Sequence, residues 1–362
     1  MTIMFDVYPD EYAQLLKSKV NQLTERFTDV DIPEIEVLES PAIHFRMRAE
    51  FRIWHTGDNI DYAMFSKVDK RLPVILKTFP RAHNSISDLM EPLLASLEHQ
   101  EVLKKKLYQI DFLCSLSGEM LVTLIYHKKL DDEWRAAAET LQKKFNIKLI
   151  GRARKQKEIL SDDFIIEKLT INNKTFIYQQ VENSFTQPNA YICQKMLTWA
   201  VNNTSHYSGD LLELYCGNGN FTLALAQNFN RVLATEVSKT SVKSARYNID
   251  ANKIENIEIV RMSSEEITQA LNKEREFRRL ADVQLDDYQF NTLFLDPPRA
   301  GLDEKTLKLA AQFDNIMYIS CNPNTLVENL KSLPDYNVKK IALFDQFPYT
   351  DHIECGVILE RQ

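Results

Sequence analysis

The chain has 362 residues, of which 44% are hydrophobic, and its formal net charge is −7. This length is enough for two or three domains with buried cores, and no apolar run is long enough to cross a membrane. The first residues lack the basic segment of a signal peptide, and the five cysteines show no metal-ligand spacing. We therefore expect a cytoplasmic protein without disulfides, a bound metal or an iron–sulfur cluster.

Charge is unevenly distributed along the chain. Basic residues outnumber acidic ones only in the segment 41–180, whereas the segments before and after it are acidic. A basic middle segment is compatible with a polyanionic partner, and an ordinary charged, solvated surface is the alternative explanation. Charge alone therefore neither requires nor excludes a nucleic-acid partner.

The first half of the chain mixes helices and strands without a regular repeat. Apolar residues at helical spacing predict a helix over 10–27, and the acidic, proline-containing stretch 29–41 predicts a linker. Further strands are predicted at 72–80, 107–113, 119–126 and 147–150, and further helices at 85–99 and from Asp131 onward. This mixture predicts an α+β domain over residues 1–180.

The segment 44–54 alternates strictly in residue type. Its odd positions, from Phe45 to Ile53, are apolar, and its even positions include Arg46, Arg48 and Arg52. Period two predicts a half-buried strand with a basic outer face. Such a face suits RNA phosphates and unpaired bases, and an ordinary antiparallel strand with cross-strand salt bridges fits the same pattern.

The second half of the chain, residues 181–362, alternates strands with helices. Strands are predicted at 210–216, 231–237, 257–262, 290–296 and 315–321, with helices at 220–229, 240–252, 264–279, 303–312 and 324–331. Two more strands, at 338–345 and 353–360, follow with no helix between them. This order predicts a largely parallel sheet with one reversed strand, the shape of a nucleotide-type cofactor domain.

A glycine-containing turn follows the first of these strands. Gly217 and Gly219 would let the backbone approach a ligand closely, and Glu236 stands at the end of the next strand, where a carboxylate can accept from both ribose hydroxyls. The third glycine of the dinucleotide fingerprint is missing, so an adenosyl cofactor is favoured over a dinucleotide. A packing turn and a helix-capping acid are the alternative.

Two later strands end in residues that can carry chemistry. Asp296 precedes two prolines, which hold it rigidly at the end of its strand. Similar Asp/Asn-Pro-Pro-aromatic turns occur in methyltransferases that act on amino groups, but here Arg299 takes the place of the aromatic residue. Cys321 ends the next strand, and Asn322 precedes Pro323, which favours an extended backbone there. A buried thiol and a nucleophile are both possible roles of such a cysteine.

Taken together, these motifs resemble those of the RNA uracil-5-methyltransferases. The matching motifs are Ser-Phe-Thr-Gln-Pro-Asn, Cys-Gly-Asn-Gly-Asn, Asp-Pro-Pro-Arg-x-Gly-Leu, Ser-Cys-Asn-Pro and Phe-Pro-x-Thr-x-His-x-Glu. They cover the second half of the chain in order. The first half, with His-x-Arg-Met-Arg-Ala-Glu-Phe-Arg, resembles the branch that acts on tRNA. The N-terminal TRAM domain and iron–sulfur cysteines that ribosomal-RNA relatives often add are missing from the sequence.

The resemblance implies a class I S-adenosylmethionine-dependent methyltransferase domain, Rossmann-like and of α/β class, preceded by an α+β RNA-binding domain. It implies Cys321 as the nucleophile that adds to C6 of uracil and Glu354 as the base that removes the C5 proton. His352 is the rival base. The residues implied to contact S-adenosyl-L-methionine are Gln187, Tyr215, Gly217, Asn220, Glu236 and Asp296.

The implied substrate is the T-loop uridine of the tRNA T-arm, with tmRNA as a second substrate. Arg46, Arg48, Arg52 and Tyr108 are the candidate RNA contacts, since a target base that leaves its stack must be compensated by phosphate and stacking interactions. We expect a monomer that needs neither a metal nor a membrane. A ribosomal-RNA uracil-5-methyltransferase and an RNA-folding protein on the same scaffold are the rival interpretations.

Overall fold

The computed structural model describes residues 5–65 and 72–362. It divides the chain into two compact units. Unit 1 comprises Met1–Pro9, Pro41–Lys168 and Gln180–Ala190, and unit 2 comprises Asp10–Ser40, Leu169–Gln179 and Tyr191–Gln362. In the described part of the chain, no helix combines the length and the apolar character that a membrane span requires.

The described residues form ten α-helices and seventeen strands. The helices are α1 (Tyr12–Arg26), α2 (Asn84–Glu98), α3 (Glu101–Lys104), α4 (Asp132–Phe145), α5 (Ala190–Thr204), α6 (Asn220–Leu225), α7 (Lys239–Asn252), α8 (Ser264–Leu271), α9 (Glu304–Ala310) and α10 (Pro323–Lys331). The strands of the first half are β1 (Glu36–Leu38), β2 (Arg48–Thr56), β3 (Asn59–Phe65), β4 (Pro73–Leu76), β5 (Leu107–Cys114), β6 (Met120–Tyr126), β7 (Lys148–Ala153), β8 (Gln156–Ile159), β9 (Phe164–Ile171) and β10 (Lys174–Val181). Those of the second half are β11 (Asp210–Leu214), β12 (Val232–Thr235), β13 (Ile257–Val260), β14 (Phe290–Leu295), β15 (Asn315–Ser320), β16 (Tyr336–Phe344) and β17 (Glu354–Arg361).

Unit 1 is built on a seven-stranded sheet in the order β4-β3-β2-β5-β6-β7-β8. Only β6 and β7 pair in parallel; the other neighbours are antiparallel. The apolar positions predicted from the alternation in 44–54 are all buried, and the Phe51 ring makes edge contacts with Tyr62, Phe79 and Phe112. The inward face of β2 was therefore predicted correctly from its period of two.

Three predictions for the first half need correction. The strand predicted from residue 44 begins only at Arg48. His44 has a positive φ of 57°, which breaks an extended backbone, and Arg46 forms an isolated bridge with Ala82. Strand β3 was missed, and the predicted strand 72–80 is the shorter β4. The stretch 29–41, predicted as a linker, contains β1, which pairs in parallel with β16.

Unit 2 contains an eight-stranded sheet in the order β1-β16-β17-β15-β14-β11-β12-β13. Every pair in it is parallel except the two that β17 makes with β15 and β16. The prediction of a mostly parallel sheet with one reversed strand is confirmed. Because parallel strands have both faces covered by helices, their apolar runs are continuous, which is why the sequence reveals them.

The N-terminal helix belongs to unit 2 and not to the unit formed by most of the first half. Its apolar residues Leu16, Leu23 and Phe27 are buried in the same core cluster as Tyr318, Leu326 and other residues of the eight-stranded sheet. The division therefore differs from the predicted boundary at residue 180. Helical spacing shows that a helix has a buried face, but not which sheet buries it.

Strand β11 buries an acidic side chain. Glu213 is 1% exposed, and burial raises the pKa of its carboxyl group to about 8, with Asp296 adding to the increase. An unfolded glutamate titrates at about 4.3. A folded pKa above the unfolded value means that the contribution of Glu213 to stability is complete at low pH and is lost as the pH rises toward about 8.

We expect Glu213→Gln, which cannot ionise, to become progressively more stable than the wild type as the pH rises. Urea unfolding at about pH 5.5 and about pH 7.5 should show the difference in free energy of unfolding growing by about 1–3 kcal/mol. Glu258→Gln, at an exposed position on β13 of the same sheet, is the matched control and should show no such trend. A difference that stays constant with pH would mean that Glu213 does not change its ionisation on folding.

Candidate active site

Four of the predicted site residues follow parallel strands at the same edge of the eight-stranded sheet. Tyr215 follows β11, Glu236 follows β12, Asp296 follows β14, and Cys321 follows β15. The register pairs Leu214 with both Thr235 and Leu295, so the residues after these positions lie side by side. The carboxyl edge of such a sheet is where ligands bind in open α/β folds.

The segment around Cys321 is held in a fixed turn. Asn322 is extended, with φ −142° and ψ 94°, as expected for a residue before proline, and Pro323 is the first residue of α10. The Ser320 hydroxyl accepts from the Asn322 N–H at 3.1 Å. Cys321 is partly exposed, whereas the other four cysteines, Cys114, Cys193, Cys216 and Cys355, are buried. Among the cysteines, Cys321 is therefore the one that a substrate can reach.

The reversed strand brings a carboxylate to the same place. Ser320 pairs with Cys355 in the antiparallel ladder between β15 and β17, so the next step of that register sets Cys321 across from Glu354. Glu354 is 5% exposed, and burial raises its pKa well above 4.5, with Asp296 adding to the increase. His352, the rival base, is exposed to solvent.

The charges around the thiol oppose its ionisation. Burial raises the pKa of Cys321, the carboxylates of Glu354 and Asp296 raise it further, and Arg299 partly opposes them. Burial also raises the pKa of Asp296 to about 7. In the ligand-free protein the thiol therefore carries its proton at neutral pH, and Arg299 is the cation that favours the thiolate.

The loop carrying Asp296 and Arg299 is tied to the loop carrying Cys321. The Asn322 side-chain amide donates to the Arg299 carbonyl oxygen at 3.1 Å, and the Thr325 hydroxyl donates to the same oxygen at 3.4 Å. Backbone carbonyl groups that are satisfied in this way hold a loop without relying on regular secondary structure. The two motifs that the sequence predicted separately thus form one rigid structure.

The glycine turn after β11 forms an open cradle. Tyr215 and Gly217 both have positive φ values, 62° and 56°, and a Cβ placed on Gly217 would meet no atom within 4 Å. Glu236 accepts from the Gly217 N–H at 3.0 Å and from the Ser238 N–H at 2.7 Å. The acid therefore lies directly against the turn, as a ribose-binding carboxylate must.

A buried, unsatisfied donor lies next to this cradle. The Asn220 Nδ2 atom is buried and has no hydrogen-bond partner among the described residues, while the Oδ1 atom accepts from the Cys193 thiol at 3.4 Å. An orphaned amide of this kind is costly unless a ligand satisfies it. Together with the open turn and Glu236, it shows that these residues fit an adenosyl cofactor.

Two further residues are candidates for contact with the cofactor: Val237, from the structure, and Gln187, from the sequence. Val237 follows Glu236 and is 64% exposed, so it offers an apolar surface on which an adenine ring can pack. Val237 was not predicted from the sequence, although an apolar residue directly after the acid at the end of a strand is a recognisable pattern. Gln187 lies in unit 1, in the segment before α5, with a half-buried side chain. Its contact with the cofactor stays a prediction.

Unit 1 carries a stack of three side chains on neighbouring strands. The Arg52 guanidinium lies 3.8 Å from the centre of the Tyr108 ring, and the His127 ring is stacked on Tyr108 at 4.1 Å between centres. Arg52 lies on β2, on one side of β5, and His127 follows β6, on the other side of β5. The sequence predicted Arg52 and Tyr108 but missed His127, which lies just beyond β6.

The side chains of the other two predicted arginines, Arg46 and Arg48, already donate hydrogen bonds within unit 1. The Arg46 Nε donates to the Arg48 carbonyl oxygen at 2.8 Å, and Arg48 donates to the Ser184 carbonyl oxygen at 2.9 Å. Arg48 also lines an open pocket together with Glu50 and Asp111. These acidic neighbours make Arg48 a poorer phosphate site than its position in the sequence suggested.

The fold, with a cofactor cradle beside a half-buried cysteine, is that of a class I S-adenosylmethionine-dependent methyltransferase. A tRNA (uracil-54, C5)-methyltransferase from Pyrococcus abyssi, solved in complex with S-adenosyl-L-homocysteine, has a similar fold, with a TM-score of 0.74 and 23% sequence identity. The comparison covers 96% of this chain and 83% of that one.

The sequence comparisons are more specific. The model of the family described as tRNA (Uracil-5-)-methyltransferase matches residues 11–362. A tRNA/tmRNA (uracil-C(5))-methyltransferase from Vibrio parahaemolyticus is 55% identical over 99% of both chains, and one from Cellvibrio japonicus is 55% identical over 97% of this chain and 96% of the other. The chain belongs to the tRNA (uracil-5-)-methyltransferase family, and the resemblance seen in its motifs is confirmed.

We expect Arg299→Met to raise the pKa of the Cys321 thiol, because it removes the cation that favours the thiolate. The rate of alkylation by iodoacetamide should then rise at higher pH than in the wild type, and the four buried cysteines should not contribute to the fast phase. Arg278→Met, which removes an exposed charge elsewhere in unit 2, is the control. An unchanged alkylation profile in Arg299→Met would show that Arg299 does not act on the thiol.

Proposed function

We propose that this protein methylates C5 of uracil in RNA with S-adenosyl-L-methionine as the methyl donor, and that its substrates are the T-loop uridine of tRNA and the T-loop of tmRNA. The observation that carries this proposal is the position of Cys321 across from the buried Glu354, at the sheet edge that also bears the cofactor cradle. The relatives that are 55% identical are named for the same reaction on tRNA and tmRNA.

The thiol supplies the nucleophile that the chemistry requires. C5 of uracil is too poor a nucleophile to be methylated directly, and addition of the Cys321 thiolate to C6 makes it part of an enolate. The partly exposed position of Cys321 leaves its sulfur accessible to a uracil that has left its stack. Arg299 favours the reactive thiolate form.

Asp296 is suited to bind the uracil ring while negative charge develops on it. With a pKa of about 7, its carboxyl group is protonated in a large share of the molecules at neutral pH. A neutral carboxyl group can donate a hydrogen bond to an oxygen on which negative charge develops. We assign this role toward the uracil to Asp296, with orientation of the cofactor as the alternative.

Glu354 completes the cycle. The bound S-adenosylmethionine supplies the methyl group that C5 accepts. Glu354 then removes the C5 proton, and the electron pair of that C–H bond restores the ring double bond as the Cys321 sulfur leaves. A carboxylate whose pKa is raised by burial holds a proton more tightly than an exposed one, so it is a better base for this step.

The cofactor is held by the cradle in this proposal. Glu236 accepts from the ribose hydroxyls, Gly217 leaves room for the backbone to approach, and Asn220 uses its unsatisfied amide. Tyr215 and Gln187 are assigned to the same site by resemblance. The enzyme acts as a monomer in the cytoplasm, where its RNA substrates are found.

Unit 1 provides the RNA-binding surface in this proposal. The Arg52–Tyr108–His127 stack ends in the exposed His127, whose free face can take an unpaired base. Stacking of this kind compensates for the cost of unstacking a base. Arg48, the first residue of β2, and Arg46, two residues before it, add positive charge to the same unit.

We expect Cys321→Ala to abolish both methylation and the covalent protein–RNA adduct, because no other accessible thiol can add to C6. Glu354→Gln should instead form the adduct and retain it, since the C5 proton is no longer removed. Denaturing gel electrophoresis with T-arm RNA and S-adenosylmethionine measures both outcomes, and Glu258→Gln is the control. Methylation by Cys321→Ala, or full turnover by Glu354→Gln, would contradict the mechanism.

We expect His127→Ala to weaken the binding of T-arm RNA by about tenfold, because a base that stacks on an aromatic ring gains about 1–3 kcal/mol. Tyr108→Ala should weaken binding at least as much, since it removes the ring on which both neighbours rest. Binding to the Cys321→Ala protein by fluorescence anisotropy separates affinity from chemistry. His99→Ala, at an exposed histidine in unit 1, is the control, and equal affinities in all three variants would rule out the stack as an RNA contact.

A further inference from the structure

The first helix of the chain contacts both segments that carry the proposed catalytic residues. α1 and the connection 345–353, which leads from β16 to Glu354, lie in unit 2, as does the start of α10 after Cys321. Neither the family resemblance nor the mechanism gives α1 a role. Its polar contacts are concentrated at these two places.

The first contact is a buried ion pair. Lys19 is 6% exposed and Asp345 is 2% exposed, and the Lys19 Nζ lies 2.8 Å from the Asp345 Oδ1. The same ammonium group donates to the Phe347 carbonyl oxygen at 2.7 Å. One side chain of α1 therefore holds two points of the connection 345–353.

The second contact uses the hydroxyl group of the half-buried Tyr12 in the same helix. The Tyr12 hydroxyl donates to the Asp345 Oδ2 at 2.9 Å and accepts from the Ser40 N–H at 2.8 Å. The Asp345 N–H donates to the Leu38 carbonyl oxygen of β1 at 3.1 Å. Both carboxylate oxygens and the backbone N–H of Asp345 are thus bound by residues of the segment Asp10–Ser40.

The third contact is made by the other end of the helix. The Arg26 Nε donates to the Asn324 Oδ1 at 3.0 Å, in the first turn of α10. Burial raises the pKa of the Cys355 thiol, next to Glu354, and the Arg26 guanidinium partly opposes this increase. The last turn of α1 therefore lies near both the Cys321 turn and the start of β17.

We infer that α1 is a brace that fixes the position of Glu354 relative to Cys321, with Lys19 and Tyr12 as positioning residues for the proposed base. The geometry explains how. Phe344 pairs with Glu354 at the end of the β16–β17 ladder, and Asp345 follows Phe344 directly. Holding Asp345 and Phe347 therefore fixes the chain where it enters the turn that leads to Glu354. This inference rests on the proposed function.

The chemistry of the brace favours positioning over simple stability. A buried ion pair contributes little more to stability than apolar residues of the same volume, because both charges lose their water. What it does impose is a single geometry, since each oxygen of Asp345 has one particular donor. Such a constraint is useful where a displacement of about 1 Å can reduce a rate by about a hundredfold.

The test compares Lys19→Met with Lys17→Met, which changes an exposed lysine of the same helix. Displacement of Glu354 slows proton removal from C5 but not the addition of Cys321. We therefore expect Lys19→Met to lower kcat by about tenfold or more and to accumulate the covalent adduct with T-arm RNA, as Glu354→Gln does. Its affinity for S-adenosyl-L-homocysteine, measured by calorimetry, should equal that of the wild type. Lys17→Met should behave as the wild type in all three measurements.

Two results would overturn the brace. One is wild-type turnover without excess adduct in a folded Lys19→Met. The other is a parallel loss of kcat and of S-adenosyl-L-homocysteine affinity without adduct, which would assign Lys19 to general stability. If Lys19→Met does not fold, Tyr12→Phe decides by the same criteria. It removes the two hydrogen bonds of the Tyr12 hydroxyl but leaves Asp345 paired with Lys19. If Glu354→Gln accumulates the covalent adduct but the Lys19 and Tyr12 variants do not, the brace alone is refuted. If Glu354→Gln forms no adduct, the proposed mechanism is refuted, and with it the premise of the brace.

Discussion

The antiparallel pairing of β17 between β15 and β16 is the constraint on which the candidate site depends. A purely parallel sheet would bring only strand ends to its carboxyl edge, each followed by a turn and a helix. The reversed strand instead brings a strand beginning to that edge, so Glu354 stands at the first position of β17. Because Ser320 pairs with Cys355, a slip of the ladder by one residue would turn the Glu354 side chain to the other face of the sheet.

The same burial that positions these groups also sets their protonation states. Burial raises the pKa of both Asp296 and Glu354, and Asp296 raises that of Glu354 further. Both carboxylates oppose ionisation of the Cys321 thiol, which Arg299 favours. Two neighbouring acids in a low-dielectric site do not both ionise readily. A bound uracil and a cationic methyl donor would change this balance, since a positive charge at the edge favours the ionised forms of all three groups.

The sequence predicted those parts of the structure that depend on local periodicity. The alternation from Phe45 to Ile53 identified the buried face of β2, and the apolar runs with their turns identified the parallel strands of unit 2. Pairings between distant segments were not predictable in this way. β1 is only three residues long, and its partner β16 lies about 300 residues away. His127 was not among the predicted contacts, because it lies outside the strand pattern and its stacking on Tyr108 joins two distant segments.

The division of the chain has a consequence for how the catalytic unit is held together. Strand β1 covers the edge of the eight-stranded sheet beside β16, and α1 buries Leu16, Leu23 and Phe27 in its core. Residues 191–362 without Asp10–Ser40 would therefore expose both an unpaired strand edge and apolar core surface, and they would leave the Asp345 carboxylate buried without its donors. The segment that carries the proposed nucleophile and base is thus completed by the beginning of the chain, which explains why sequence position alone does not mark the boundary of the catalytic unit.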